Sequence, residues 1–219
     1  LLHVSMTRID YSEKFVRKPV FTTHGSGLNT RGMTSRRTQS GKILRIGYLS
    51  RFGKSKGSHE VLKAAMNLTE DKSLFIAGWD IRGSHYSKLF AEISKKKENI
   101  TFLGAIKSRE EISSFFNNID LFLSPSVREG GNIALQEAIW HGVPFFTTIA
   151  PGCSVLAQTF GCPAVEMENF GALIAKTTAK ELGYDTSSWP RLIEPFLVNS
   201  VKEEYYEVLL TALNLRGKQ

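Results

Sequence analysis

Short apolar runs alternate with segments of helical spacing along most of this chain, and no other feature of the sequence restricts its fold as strongly. The apolar runs occupy residues 42–49, 73–78, 99–104, 119–124 and 143–148. The segments of helical spacing that follow them occupy residues 60–68, 84–97, 109–117, 132–141 and 152–160. Strands that alternate with helices in this way form a parallel sheet. The sequence therefore predicts an α/β, Rossmann-like fold with helices on both faces of the sheet.

The length and composition agree with one folded unit of this class. The chain has 219 residues, of which 42% are hydrophobic and 22% charged, so it can bury a full core. After Thr178 the pattern is helical to the end of the chain, and Trp189, Ile193 and Phe196 are the residues expected to pack on the domain.

A glycine pair follows the fourth apolar run. Gly130 and Gly131 lead into Asn132, at the predicted start of a helix. Adjacent glycines let the backbone approach a ligand closely, and the unpaired amides of a helix start attract negative charge. Gly130, Gly131 and Asn132 are therefore candidate phosphate-binding residues. At the other end of this helix, His141 is placed where a cation would cap it.

Two glutamates flank the same helix start. Glu129 precedes the glycines, and Glu137 lies about a turn and a half into the helix. A carboxylate accepts two hydroxyl hydrogen bonds at once, so Glu137 suits a ribose diol and Glu129 suits the group beyond the phosphates. Taken alone, this span leaves a plainer alternative open, in which Glu137 is a solvated helix residue and the glycines only form a turn.

A basic, glycine-containing loop follows the first apolar run. Arg51, Lys54 and Lys56 lie in this loop, at the carboxyl end of the predicted strand. In an open α/β sheet, ligands bind in the crevice outside these strand ends. Arg51 can grip a diphosphate as a fork and Lys56 can bind it as a point charge, whereas Lys54 is expected to be solvated.

These two motifs together resemble the C-terminal, donor-binding domain of retaining GT-B glycosyltransferases, in glycosyltransferase family 4, also called glycosyl transferases group 1. Members carry an arginine and then a lysine-glycine pair after the first strand of this domain. They also carry two glutamates with seven residues between them, with alanine after the second, and a later Gly-x-Pro. The corresponding residues here are Arg51, Lys56, Gly57, Glu129, Glu137, Ala138, Gly142 and Pro144. The resemblance covers roughly residues 43–213.

The resemblance implies a role for each of these residues. Arg51 and Lys56 would hold the diphosphate of a nucleotide sugar, with Glu137 on its ribose and Glu129 on the hydroxyls of the donor sugar. The backbone at Ala105 and Ile106 would meet the base. Arg51, Lys56 and Glu129 would then be the catalytic residues, because cations aimed at the leaving diphosphate stabilise the charge that grows there.

By this resemblance the chain is the donor half of a retaining, hexosyltransferase-type enzyme that transfers sugar to a glycan or a lipid-linked acceptor. The co-substrate is a nucleoside diphosphate sugar, with a UDP-sugar favoured and a GDP-sugar as the alternative. We expect no further cofactor and no metal. Two alternatives stay open: a nucleotide-sugar-binding fragment that is inactive alone, and a GT-B nucleotide-sugar epimerase. A dinucleotide oxidoreductase is disfavoured, because no Gly-x-Gly-x-x-Gly follows the first strand.

The first part of the chain has a different character. Residues 22–41 are rich in Gly, Ser and Thr, and include Arg31, Arg36 and Arg37 without any acid. We expect residues 1–41 to be the remnant of an N-terminal, acceptor-binding domain with its interdomain linker, and residues 42–219 to be the donor-binding domain. Activity is then expected to require that N-terminal domain.

The net charge of +7 favours an anionic partner. A nucleotide and an anionic membrane surface explain this sign better than nucleic acid, because aromatic and basic residues are not interleaved as in single-strand binders. Cys153 and Cys162 lack the spacing of metal ligands, and no signal peptide or membrane span is visible in the sequence. We therefore expect a cytoplasmic protein, peripheral to the inner face of a membrane where the acceptor is lipid-linked.

Overall fold

A computed structural model of the chain describes residues 4–5, 21–22, 27–34, 41–129 and 131–216. Most of the predicted N-terminal remnant and linker lies outside the described residues, including Arg36 and Arg37. The same holds for Gly130, one of the candidate phosphate-binding residues.

The described residues contain strands β1 to β8 and helices α1 to α8, numbered along the chain. The strands are Val4–Ser5, Phe21–Thr22, Leu44–Phe52, Lys72–Asp80, Ile100–Gly104, Leu121–Ser124, Phe145–Thr148 and Ala164–Val165. The helices are Ser58–Met66, Tyr86–Lys96, Arg109–Asn117, Ile133–Trp140, Pro151–Phe160, Phe170–Lys176, Trp189–Leu192 and Val198–Arg216. Short 3-10 turns occupy Lys54–Lys56, Met167–Asn169, Ala179–Glu181 and Glu194–Phe196.

Six of the strands form one parallel sheet in the order β5-β4-β3-β6-β7-β8, and β1 pairs with β2 separately. The chain starts this sheet at β3 and adds β4 and β5 on one side. It then returns to place β6, β7 and β8 on the other side. This is the strand order of a doubly wound, Rossmann-like sheet, and the reversal lies between β3 and β6. The predicted fold class is confirmed.

Two hydrophobic cores cover the opposite faces of the sheet. On β6, Phe122 joins one core while Leu121 and Leu123 join the other, because successive strand residues point to opposite faces. The core of Phe122 also contains buried residues of α3, α4, α5 and α7: Phe115, Phe116, Leu135, Ala138, Ile139, Leu156, Phe160 and Trp189. The core of Leu121 contains buried residues of α1, α2 and α6: Val61, Ala65, Phe90, Phe170 and Ile174.

Helix α4 ends in a tight hydrogen-bonded turn. Gly142 adopts φ +67°, its amide donates to Ile139 O at 2.9 Å, and the Val143 amide donates to Ala138 O at 2.9 Å. His141 caps this helix as predicted, but not as the predicted cation. Its ring is buried, with Nδ1 2.8 Å from Glu137 O, and burial lowers the pKa of His141 so that the ring is neutral at pH 7.

Residues 27–34, which the sequence places in the linker, lie against the domain. The Leu28 amide donates to Phe196 O at 2.7 Å, the Val198 amide donates to Leu28 O at 2.9 Å, and the Leu28 side chain is buried. The same segment reaches α3, where the Thr34 amide donates to Ser113 Oγ at 3.1 Å.

The chain after Thr178 is less helical than predicted, since residues 183–187 form no helix. There Asp185 Oδ1 accepts from the Ser187 amide at 3.0 Å, a local side-chain bond that competes with helix formation. No helix in the described part of the chain is both long and apolar enough to cross a bilayer.

Candidate active site

A cavity of about 420 Å³ opens at the carboxyl ends of β3 and β6, where the strand order reverses. Its walls come from the loops after these two strands, from the first two turns of α4, and from residues at the ends of β4 and β5. Side chains from both predicted motifs line it. The predicted site residues in its wall are Arg51, Lys56, Ile106, Glu129, Gly131, Asn132 and Glu137.

Lys56 and Glu129 join the two motifs. Lys56 Nζ donates to Glu129 Oε2 at 2.5 Å, and both side chains are largely buried, at 19% and 11% exposed. The backbone holds each of them in place, because the Val127 amide donates to Ser55 O at 2.9 Å and the Gly152 amide donates to Glu129 O at 3.0 Å. A cation and an anion therefore face the cavity as a fixed pair.

Gly57 explains how the β3 loop comes so close to the loop after β6. It adopts φ +66°, and an added Cβ would lie 2.0 Å from Pro125 O. A side chain at this position would both strain the backbone and displace the neighbouring loop. The lysine-glycine pair of the sequence motif thus places Lys56 against Glu129 by allowing close backbone contact.

Arg51 and Trp79 lie side by side at the cavity mouth. They are paired in register on β3 and β4, and Trp79 is 45% exposed. The Trp79 ring, Ile106 and Ile112 form an apolar part of the cavity lining. Ala105 does not line the cavity, although it was the other predicted base contact. Trp79 had no sequence signal, because it follows the buried run of β4 as a single aromatic residue.

The Asn132 side chain caps α4. Its Oδ1 accepts from the Leu135 amide at 3.1 Å, and its Nδ2 donates to Ser124 Oγ at 2.6 Å. Both polar atoms of the Asn132 side chain thus bond to protein groups. At the helix start, the backbone amides are the groups that can bind an anion. Gly131, Asn132 and Ile133 bring the first-turn amides to the cavity wall, where the helix dipole favours a negative group.

Glu137 lies deeper in the cavity wall, with 5% of its surface exposed. Burial raises the pKa of Glu137 to about 7, and the nearby Arg109 guanidinium opposes this rise. Arg109 Nη1 lies 3.4 Å from Glu137 Oε1. No sequence pattern pointed to Arg109, which precedes Glu110 and Glu111 and has the appearance of an ordinary helix start.

A second layer of hydrogen bonds supports the loop after β6. Thr147 Oγ1 donates to Ser124 O at 2.9 Å, and Thr148 Oγ1 donates to Ser126 O. Both threonines lie on β7 and are buried. The loop that leads to Glu129 is therefore held by the neighbouring strand on one side and by the β3 loop on the other.

The arrangement can bind an extended, phosphorylated molecule. Its cationic side chains and helix amides suit phosphates, its buried carboxylate suits hydroxyl donors, and the apolar part of its lining suits a flat ring. These groups come from loops at the reversal of strand order, where open α/β sheets bind their ligands.

Known proteins are similar to this chain in sequence. Protein CapJ of Staphylococcus aureus is 34% identical over 122 residues, which are 52% of this chain and 30% of CapJ. Lipopolysaccharide glucosyltransferase WaaG of Escherichia coli is 29% identical over 139 residues, 60% of this chain and 34% of WaaG. The chain spans about a third of the length of these curated relatives.

Solved structures agree at the level of the fold. A variant of TarM from S. aureus, crystallised with fondaparinux, alpha-GlcNAc-glycerol and UDP, superposes with a TM-score of 0.71 at 14% identity. The match covers 93% of this chain and 43% of TarM.

The family model described as glycosyl transferases group 1 matches residues 36–182, a span that contains both motifs and the whole of the cavity wall. The predicted resemblance is confirmed, and the chain belongs to the glycosyl transferases group 1 family.

Proposed function

We propose that this chain is the donor-binding part of a retaining glycosyltransferase that uses a nucleoside diphosphate hexose. The observation that carries the proposal is the meeting of the two motifs: Lys56 and Glu129 are paired in the cavity that also contains Glu137. Membership of the family supports transfer of a sugar.

The chemistry of the groups that line the cavity supports an orientation for the donor. The base lies against the apolar residues Trp79 and Ile106, and its ribose diol faces Glu137. The diphosphate lies between Arg51, Lys56 and the amides that follow Gly131. This leaves Glu129, beyond the phosphates, for the hydroxyls of the donor sugar.

In the transfer step the bond between the anomeric carbon and the diphosphate oxygen breaks, an acceptor hydroxyl oxygen bonds to the same face of that carbon, and the hydroxyl proton passes to the departing diphosphate. Negative charge grows on the departing diphosphate. Arg51 and Lys56, already in place, stabilise this charge without having to reorganise during the reaction. Lys56 is the more fixed of the two, because Glu129 holds its ammonium group.

A UDP-sugar is the favoured donor. UDP is present in the TarM structure that shares this fold, and WaaG is a glucosyltransferase. By the same similarity the acceptor is a glycan or a lipid-linked glycan, bound by a further, acceptor-binding half, because the chain spans about a third of its curated relatives. The net charge of +7 supports a position at an anionic, inner membrane surface.

Calorimetric titration with UDP, GDP and ADP tests the donor site. We expect UDP to bind, and Arg51→Ala and Glu137→Ala to weaken binding by about ten- to a hundredfold, since each removes a charged hydrogen bond worth roughly 1.5 to 3 kcal/mol. Lys54→Ala is the matched control, because Lys54 is an exposed cation of the same loop. Equal affinity for UDP in all four proteins would contradict the proposed site.

Stereochemistry and reaction class need the complete protein. Product analysis with a UDP-sugar, with and without an acceptor, separates transfer from epimerisation, because only an epimerase changes the sugar when no acceptor is present. Retention is then checked from the anomeric configuration of the product. An inverted product would contradict the retaining part of the proposal.

A further inference from the structure

Glu137 is a buried carboxylate whose charge needs a partner. It is 5% exposed, and an ionised carboxylate at such a position is unfavourable unless an opposite charge lies close by. Arg109 supplies that charge, with its Nη1 3.4 Å from Glu137 Oε1. A ribose diol donates its hydroxyl protons, so the ionised carboxylate, which accepts at both oxygens, binds it better than the protonated form.

Arg109 lies where a helix by itself disfavours a cation. It is the first residue of α3, directly after the capping residue Ser108, and the positive end of the helix dipole repels its charge. The acids Glu110 and Glu111 that follow are the residues this position favours. Helix stability therefore does not explain a guanidinium at this position, whereas its interaction with the Glu137 carboxylate on α4 does.

The segment 27–34 also contacts Arg109. Met33 Sδ lies 3.9 Å from Arg109 Nη1, the same nitrogen that approaches Glu137. The Thr34 amide, which donates to Ser113 Oγ, and the Thr34 carbonyl, which accepts from Asn117 Nδ2 at 2.9 Å, fix this segment along α3. The guanidinium thus contacts both the segment and the carboxylate in the cavity wall.

The remaining charged groups around the cavity are placed differently. Lys56 and Glu129 are paired with each other, and Arg51 is exposed at the mouth. On the helix of Glu137 itself, His141 is neutral and contacts the backbone carbonyl of Glu137, not its carboxylate.

We propose that Arg109 is a positioning residue of the nucleotide site, which favours the ionised form of Glu137, orients it for a ribose, and is itself contacted by the segment 27–34. The part that concerns ribose rests on the proposed function. The part that concerns ionisation does not, because it can be measured in the absence of any ligand.

The first test is a pH titration of the Glu137 side-chain carboxyl carbon by NMR, with the signal assigned by its loss in Glu137→Gln. The pKa of Glu137 is about 7, and an opposite charge at this range lowers a carboxyl pKa by about one unit or more. We expect Arg109→Met to move the midpoint upward by about one pH unit, and Arg109→Lys to move it less. The control is Lys107→Met, which removes an exposed cation two residues away. An unchanged midpoint in Arg109→Met overturns the proposal.

The second test is UDP affinity against pH. With the midpoint raised by about one unit, the ionised fraction of Glu137 at pH 7 falls about fivefold, and we expect UDP affinity to fall by the same factor in Arg109→Met. The loss should shrink as the pH rises. UDP titrates in this range too, so Glu137→Gln provides the baseline. If wild-type chain does not bind UDP at any pH, the ribose role fails with the proposed function, while the NMR midpoint still decides the ionisation role.

The third test concerns the segment. Met33→Ala removes the thioether beside the guanidinium, and we expect a smaller upward move of the Glu137 midpoint. The control is Met66→Ala, at an exposed methionine of α1. A midpoint that is the same in both variants overturns the role given to the segment 27–34.

Discussion

Lys56 Nζ and Glu129 Oε2 lie 2.5 Å apart although 73 positions separate them in sequence. Lys56 extends from the turn after β3 and Glu129 from the loop after β6, the two neighbouring strands at which the sheet reverses its order. Each group neutralises the charge of the other, so the charge that a diphosphate meets depends on both.

Because Lys56 and Glu129 are paired, we expect their substitutions to have different effects on UDP affinity. Lys56→Ala should weaken UDP binding by about tenfold, because it removes a cation at the diphosphate. Glu129→Gln should leave UDP affinity unchanged or raise it by up to about tenfold, since it removes a repelling charge and frees the ammonium group. Calorimetry on the two variants checks both signs. A parallel loss in both would show that the pair acts only through the fold.

Trp79 should bind the base of UDP by stacking. Stacking of a base on an aromatic side chain is worth about 1 to 3 kcal/mol, so we expect Trp79→Ala to weaken UDP binding by about five- to a hundredfold and Trp79→Phe to retain most of it. Inorganic pyrophosphate lacks a base and should bind both variants like the wild type. If pyrophosphate and UDP lose affinity equally in Trp79→Ala, the ring does not contact the base.

Glu137 should make stability depend on pH. Its pKa rises from 4.5 in the unfolded chain to about 7 in the fold, so the folded state binds the proton more tightly. The resulting contribution is fully present below pH 4.5 and is lost as the pH rises through 7, and it amounts to roughly 3 kcal/mol. Glu137→Gln should therefore gain stability relative to the wild type from pH 5 to pH 8. Urea unfolding of both proteins across this range measures the difference, and a constant difference would contradict the prediction.

Gly57 should tolerate no side chain. Gly57→Ala places a Cβ 2.0 Å from Pro125 O on a backbone with φ +66°, so we expect a loss of stability of more than about 2 kcal/mol and loss of UDP binding. Gly83→Ala is the control, because Gly83 also has a positive φ, +81°, but has no atom within 4 Å of an added Cβ. It should cost about 1 kcal/mol, from backbone strain alone. Similar losses in the two variants, measured by urea unfolding, would count against the close contact at Pro125.

Sequence patterns predicted the fold well where local signals were strong. Helix α3 begins and ends at the predicted residues. Its start is defined by the reciprocal capping box of Ser108 and Glu111. Strand β3 was predicted to end at residue 49 but continues to Phe52. Its last residues pair with Trp79 and Asp80 on β4, and no local pattern reveals the length of a neighbouring strand.

The candidate site was predicted only where its residues belong to a motif. Lys56, Glu129 and Glu137 came from the two motifs, and their meeting in one cavity follows from the strand order. Arg109 and Trp79 were missed, because each acts through a neighbour that is distant in sequence. For Asn132 the motif indicated a ligand contact. In the structure its side chain caps α4 instead, by accepting a hydrogen bond from the Leu135 amide.

The docking of Leu28 changes where this domain can be cut. A chain trimmed to begin at residue 42, where the strand pattern begins, would leave the carbonyl of Phe196 and the amide of Val198 without the backbone of Leu28. It would also expose to solvent the apolar residues that the buried Leu28 side chain covers beside the start of the last helix. An expression boundary that keeps the domain intact therefore lies before Gly27, well inside the stretch that composition alone assigns to the linker.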